Sequence, residues 1–298
     1  MDELPTVPPD AVMATESAKV IACGLTDRGL VRKANEDAFL IAELSRSLEV
    51  QQSSLPESEL HWLAGGSAGR LLVVADGMGG QGGGDVASRV AIRAIADYVS
   101  SVMPWAARHA QSLEQSPRAS LPGVRQQLST ALATSNLEVR EAAVLPGGTP
   151  NMGTTLTMAY LLWPRMYVAH VGDSRCYILR NGLLARLTTD HTVAEQMRAQ
   201  GFAPLEASSP LHHILWNALG TSEDELVPEV HKMPLELGDT ILLCTDGLNK
   251  HVEDDEITGV LRDAADASAA CERFVQMTLD RGATDNVTVL VARVLKGD

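Results

Sequence analysis

Residues 71–85 read LLVVADGMGGQGGGD, and this stretch joins three kinds of local structure. The apolar run Leu71–Ala75 is short and rich in leucine and valine, which is typical of a buried strand. Asp76 and a glycine-rich segment follow, so the chain turns there. After Asp85, apolar residues recur at helical spacing, at positions 86, 90, 94, 95, 98 and 99. The stretch therefore predicts a strand, a turn that begins with a carboxylate, and a helix.

Two common structures compete for this turn. An Asp-Gly pair often forms the centre of a β-hairpin, but a second strand would have to follow directly, and a helical pattern follows instead. Residues 77–82 also fit the G-x-G-x-x-G pattern of dinucleotide-binding loops. The acidic partner of that pattern would be Asp97, which falls inside the predicted helix rather than at the end of the next strand. Asp76 would also repel a pyrophosphate, so the nucleotide interpretation is weak.

Asp76 is one of several acidic residues at strand ends. Each of these acidic sites lies directly before or after an apolar run: Glu36-Asp37, Asp76, Asp173, Asp246 and Asp285. Clustered carboxylates raise one another's pKa values unless a cation lies among them, and the sequence has few basic residues near these positions. Oxygen ligands without paired histidine or cysteine indicate magnesium or manganese rather than zinc.

The remaining hydrophobic pattern predicts one α+β domain, with helices layered over antiparallel sheet. The predicted strands are 20–25, 38–42, 71–75, 154–162, 166–171, 176–180, 183–187, 240–244 and 286–295. The predicted helices begin near residues 85, 124, 193, 254 and 268. We expect residues 1–18 to be a disordered leader, 19–298 a single domain, and 43–70 an extended surface connection.

Composition limits the classes of partner. The chain has 298 residues, of which 45% are hydrophobic, so it can form a core. A net charge of −14 argues against nucleic acid and anionic membranes as partners. The four cysteines are far apart and have no C-x-x-C spacing, which is typical of thiols in a reducing compartment. No signal peptide or membrane-spanning run is recognisable, so we expect a soluble, cytoplasmic protein.

In their order along the chain, the motifs around the acidic residues resemble those of the type 2C metal-dependent serine/threonine protein phosphatases, in particular the bacterial branch. The match spans roughly residues 20–295. Each motif is weak alone, but the ordered set is specific. The motifs are Gly29–Asp37, Val74–Gly80, Gly153–Leu156, Val171–Arg175, Leu187–Thr192, Cys244–Leu248 and Thr284–Val287.

The resemblance implies a four-layer α-β-β-α sandwich, in which helices flank two mostly antiparallel sheets and a two-metal centre lies at one edge. It implies Mn2+ or Mg2+ as the cofactor. Asp76 would bridge both core ions, and the carbonyl of Gly77 would bind one of them. Asp246 and Asp285 would complete the coordination of the other ion.

Further roles follow from the same resemblance. Glu36 and Asp37 would hold metal-bound waters, Asp173 together with Asp246 would bind a third ion, and Arg32 would grip the substrate phosphate. Water acidified between two ions would then attack phosphorus in line, without a covalent enzyme intermediate.

The leading hypothesis is therefore a monomeric phosphatase that acts on phosphoserine and phosphothreonine in proteins and opposes a bacterial serine/threonine kinase. Two alternatives stay open: a catalytically inactive phosphoprotein-binding module, and a phosphodiesterase or small-molecule phosphatase with the same metal site. Met78 stands where eukaryotic members often have histidine, a candidate acid. His191 lies in a predicted flap region at residues 188–226, and we expect it to be structural.

Overall fold

The computed structural model describes residues 17–46, 66–79, 82–113, 123–146, 148–206, 209–221 and 226–297. Within these residues, one five-stranded antiparallel sheet has the order β1 (Ala18–Asp27), β12 (Val287–Lys296), β11 (Thr240–Cys244), β8 (Arg175–Arg180) and β9 (Leu183–Arg186). A second has the order β10 (Glu229–Pro234), β7 (Arg165–Val171), β6 (Leu156–Leu162), β3 (Gly66–Ala75) and β2 (Ala38–Arg46). A small ribbon pairs β4 (Gly77–Met78) with β5 (Gly153–Thr154).

Helices cover the outer faces of both sheets. The second sheet packs against α1 (Gly83–Leu113) and α2 (Val124–Ala143), and the first packs against α5 (Asp254–Asp263) and α6 (Ala267–Asp280). The short helices α3 (Val193–Ala199) and α4 (Asp246–Asn249) lie in connections. The predicted four-layer α-β-β-α sandwich is confirmed. Among the helices of the described residues, none is long and apolar enough to cross a membrane.

The continuous apolar run of β3 is explained by burial on both of its faces. Leu71 and Val73 belong to the core between the second sheet and its helices. Leu72 and Val74 point the other way, into the core between the two sheets. Because side chains alternate along a strand, a strand covered on both faces needs apolar residues at every position. This packing fixes the end of β3, and therefore the position of Asp76.

Some predicted boundaries need correction. The connection predicted over residues 43–70 is shorter, because residues 43–46 belong to β2 and residues 66–70 to β3; residues 47–65 lie outside the described residues. The leader predicted over 1–18 also lies outside them up to residue 16, and Ala18 already begins β1. The edge strand β10 was not predicted. Asp246, expected only to follow a strand, is also the first residue of α4.

Candidate metal centre

The acidic strand ends meet at one edge of the sandwich, around a cavity of about 580 Å³ that we call the acidic cavity. Its lining contains most of the predicted site residues: Arg32, Glu36, Asp76, Gly77, Asp173, Asp246 and Asp285. Asp37 lies close enough for its charge to raise the pKa of Asp76. His213 and Leu215, from the predicted flap region, and Met78 also line the cavity. Arg32 and Asp285, which are 253 positions apart in sequence, are thus brought to one place.

Asp76 is held by Thr154, the last residue of β5, and by Thr155, which follows it. Its backbone N–H donates to Thr155 Oγ1 at 3.0 Å, and its carbonyl accepts from the Thr155 N–H and from Thr154 Oγ1, both at 2.9 Å. The Thr155 and Ser174 hydroxyls are 2.8 Å apart, which ties Asp76 to the loop that carries Asp173. The sequence did not indicate a role for the Gly153–Leu156 motif. In the structure, Thr154 and Thr155 of this motif hold Asp76 in position.

Two glycines permit the close approach of the loops. A Cβ atom at Gly77 would lie 2.1 Å from the carbonyl oxygen of Gly84, and one at Gly247 would lie 1.9 Å from that of Asn286. Both distances are far below van der Waals contact, so a side chain at either position would push the backbone apart. Glycine after Asp76 and after Asp246 is therefore needed for the carboxylates to converge.

Asn286 fixes the loop that carries Arg32 and Glu36. Its side-chain oxygen accepts a hydrogen bond from the Glu36 N–H at 2.8 Å, and its amide donates to the carbonyls of Arg28 and Ala34 at 2.8 and 3.0 Å. All of its side-chain hydrogen bonds thus go to one segment of backbone. This positioning role was also missed, because nothing in the sequence separates it from that of an ordinary turn asparagine.

The carboxylates of the cavity perturb one another strongly. Burial, with a further contribution from Asp37, raises the pKa of Asp76 well above its ordinary value. Burial raises the pKa of Asp37 to about 7, although hydrogen bonds to its carboxylate from the Thr245 and Thr288 hydroxyls act in the opposite direction. Burial and the charge of Asp246 raise the pKa of Asp173 to about 8. This is the pattern expected of carboxylates gathered to bind a cation.

The expectation that basic residues are scarce near these carboxylates was wrong at two positions. Arg32 Nε lies 2.7 Å from Asp285 Oδ1. Lys250 Nζ lies 2.6 Å from Asp246 Oδ2 and 3.0 Å from Asp285 Oδ2. Burial acts to raise the pKa of Asp285, but Lys250 and Arg32 outweigh it and hold that pKa below its ordinary value.

The residues of the acidic cavity fit divalent metal ions. Asp37 Oδ1 and Asp246 Oδ1 are buried and have no hydrogen-bond partner among the described residues. An unpartnered buried carboxylate oxygen is costly, and a cation bound to it directly or through a water molecule would remove that cost. The donors are carboxylates and backbone carbonyls, which are the ligands of magnesium and manganese.

A second group of potential ligands, His170, His191 and Glu229, has ligand atoms within 4.8 Å of one another. Its ring nitrogens are already engaged. The His170 nitrogens lie 2.8 Å from Thr157 Oγ1 and 3.0 Å from the Thr189 carbonyl. His191 Nδ1 accepts from the N–H of the residue before Asp173, and its Nε2 faces Glu229 at 3.6 Å. This group is a hydrogen-bond network, in agreement with the structural role expected of His191.

In the metal-free protein, the free energy of unfolding is expected to fall as the pH rises from about 4 to about 8. The folded-state pKa values of Asp37 and Asp173 exceed the ordinary value of 3.8. Their contribution to stability is complete below the unfolded-state pKa and is lost as the pH passes the folded-state pKa. At about 1.4 kcal/mol per pKa unit, the coupled carboxylates together contribute on the order of a few kcal/mol. Urea unfolding at several pH values measures this loss.

Asp37→Asn is the control for this pH dependence, because asparagine has nearly the same shape but does not titrate. The loss of stability should be smaller in this variant, and saturating manganese should reduce it in the wild-type protein. A metal-free wild-type protein whose stability stays constant or rises between pH 5 and 8 would contradict the raised pKa values.

Comparison with known proteins gives extensive matches. The chain matches the family described as Protein phosphatase 2C over residues 52–291, which include Asp76, Asp173, Asp246 and Asp285. It is 31% identical to the serine/threonine phosphatase stp of Listeria welshimeri over 268 residues, which are 89% of this chain and 92% of that protein.

Solved structures are also similar. The Mycobacterium tuberculosis serine/threonine phosphatase PstP/Ppp matches with a TM-score of 0.71 and 30% identity, over 93% of this chain and 99% of that one. The catalytic domain of the serine/threonine protein phosphatase PstP in complex with two manganese ions matches with a TM-score of 0.70 and 28% identity, over 94% of this chain and all of that one.

Proposed function

Because the chain belongs to the protein phosphatase 2C family, we propose that the acidic cavity is the metal centre with which it hydrolyses phosphoserine and phosphothreonine in proteins. The chain is a metal-dependent serine/threonine protein phosphatase, and its cofactor is a pair of divalent ions such as the manganese ions of the similar PstP structure. The observation that carries the assignment of the site is the convergence of buried, mutually repelling carboxylates in one cavity.

In this proposal Asp76 would hold both core ions, the Gly77 carbonyl would be a ligand of one of them, and Asp246 and Asp285 would be ligands of the other. When bound, two divalent ions acidify a water molecule and stabilise the charge on the reacting phosphate. The protein supplies the geometry: the Thr154 and Thr155 hydrogen bonds described above hold Asp76 in place. Asp246 is held at the start of α4, with one residue between it and the end of β11.

Glu36 and Asp37 are proposed to orient water at the centre. Glu36 lines the acidic cavity, and its burial raises its pKa while the charge of Arg32 lowers it. Asp37 has one oxygen held by two threonine hydroxyls, so its other oxygen, Oδ1, is free to accept from a water. These contacts support an orienting role for both side chains.

Arg32 is proposed to bind the substrate phosphate. Its side chain is 51% exposed at the rim of the acidic cavity, and it forms a bidentate pair with Asp285. The pair with Asp285 uses only two of the five N–H donors of the guanidinium. A guanidinium binds phosphate oxygens through charge-assisted hydrogen bonds.

Arg32→Ala is expected to raise KM for a phosphothreonine peptide by about tenfold while kcat changes much less. The lost interaction is mainly ground-state binding of phosphate, and a charge-assisted hydrogen bond contributes about 1.5–3 kcal/mol. Steady-state kinetics at saturating manganese measure the two constants separately. Arg28→Ala is the matched control, since Arg28 lies in the same loop and is exposed. Equal KM and kcat for the wild type and Arg32→Ala would show that Arg32 does not bind the substrate phosphate.

Phosphopeptides test the reaction itself. The protein should release phosphate from phosphoserine and phosphothreonine peptides with manganese, and much less from a phosphotyrosine peptide. Binding of these peptides without turnover would favour the inactive module, against which the intact set of carboxylates argues. Turnover of small phosphomonoesters or diesters without turnover of peptides would favour the small-molecule alternative.

We propose further that the protein is a cytoplasmic monomer that opposes a serine/threonine kinase, because the substrates of its family are phosphoproteins. Magnesium would bind to the same oxygen ligands as manganese. The negative net charge supports the absence of nucleic acid or anionic membrane as a partner. Co-purification with phosphorylated proteins and light scattering test these points.

A further inference from the structure

Lys250 occupies an unusual position for a cation beside a metal centre. Its backbone N–H donates to the Asp246 carbonyl at 3.0 Å, so Lys250 lies one helical turn after Asp246, on the same face. Its Nζ reaches Asp246 Oδ2 and Asp285 Oδ2, and its side chain is only 26% exposed. The ammonium group is therefore fixed between two carboxylates by the backbone of α4.

The charge of Lys250 also acts on Asp173, which lines the same two cavities as Lys250. Asp173, Asp246 and Lys250 line both the acidic cavity and a neighbouring cavity of about 410 Å³, whereas Asp76 and Asp285 line only the acidic cavity. The charge of Lys250 opposes the effect of burial on Asp173. Lys250 thus faces both cavities, as Asp173 and Asp246 do, and is not confined to the side of the centre that Asp76 lines.

We infer that the Lys250 ammonium takes the place of the outer metal ion that Asp173 and Asp246 would otherwise bind. This inference rests on the proposed metal centre. A lysine ammonium can satisfy carboxylate oxygens through its three N–H donors, but it offers no lone pair to a metal. A metal ion bound to the same oxygens would be repelled by the positive charge of the ammonium group.

The covalent attachment of the ammonium group to the chain favours it over a metal ion from solution in the competition for these oxygens. The ammonium belongs to the chain, so its local concentration at Asp246 is high and does not depend on the metal in solution. An outer ion bound by Asp173 and Asp246 would have to displace it, whereas the core ions would retain Asp76, the Gly77 carbonyl and Asp246 Oδ1, which has no hydrogen-bond partner among the described residues. The chain should therefore bind two ions rather than three.

The test counts manganese ions bound to metal-stripped protein by calorimetry and by electron paramagnetic resonance of free manganese. The wild type and Asp173→Asn should each bind two ions. Lys250→Gln should bind three, and the double variant Lys250→Gln/Asp173→Asn should return to two. Lys250→Arg should stay at two, because it keeps the charge. Lys19→Gln, which removes an exposed charge on β1, should also stay at two.

Three ions on the wild type, no gain in Lys250→Gln, or a gain that persists in the double variant would each overturn the inference. Failure of the metal centre itself would look different, because then none of the variants would bind manganese. Circular dichroism of each variant establishes that it is folded, and a variant that does not fold is replaced by Lys250→Met, for which the same count is expected.

Discussion

Asp76→Asn is expected to lower kcat/KM for a phosphothreonine peptide by roughly a thousandfold or more. In the proposal, Asp76 would be a ligand of both core ions, and two such ions would stabilise the transition state by several kcal/mol. Each loss of about 1.4 kcal/mol lowers the rate about tenfold. The variant should still fold, because it removes one of several carboxylates that repel one another. Steady-state kinetics and manganese calorimetry on the same preparation measure both effects.

Asp97→Asn is the matched control for this substitution. Asp97 is an exposed residue of α1 and is the acidic residue that the dinucleotide interpretation required. Its replacement should leave activity and manganese binding unchanged. If Asp76→Asn kept its activity, or if Asp97→Asn lost it, the site would have been placed wrongly.

Removal of metal is expected to abolish turnover. In the proposed mechanism no side chain attacks phosphorus, because the residues only position ions, water and phosphate. EDTA should therefore reduce hydrolysis of the phosphothreonine peptide to background. Manganese added in excess of the chelator should restore it. Phosphate release over a titration of free manganese measures the recovery.

The control for chelation is the fold of the stripped protein. Its far-ultraviolet circular dichroism should match that of the loaded protein at pH 6, where the carboxyls of Asp37 and Asp173 still hold protons. Full activity in chelator would exclude the proposed centre. Loss of activity that manganese cannot restore, with the fold intact, would indicate a different metal.

The parts of this site that sequence alone could predict are those set by strand patterns. LLVVAD, YVAHVGD and ILLCTD identify Asp76, Asp173 and Asp246 because apolar runs buried on both faces are long enough to recognise, and because a charged residue ends each of them. The antiparallel pairing of β11 with β12 then brings Asp246 near Asp285. The fold class followed from the same runs.

Other features depend on long-range contacts that no local pattern reports. β10 was missed because it is an edge strand that contains a proline and whose residues are all exposed or half-buried, so it lacks an apolar face. Lys250 was missed because its position beside Asp246 is evident only once residues 246–249 are known to be helical. The roles of Asn286 and Thr155 rest on hydrogen bonds to segments far away in sequence.

The most direct test of the central claim is the position of manganese in crystals of the protein. Anomalous diffraction at the manganese edge is expected to show two strong peaks in the acidic cavity, with an Asp76 oxygen on each ion and Asp246 and Asp285 on one of them. Peaks elsewhere, for example among His170, His191 and Glu229, or a single peak without Asp76 as a ligand, would contradict the account.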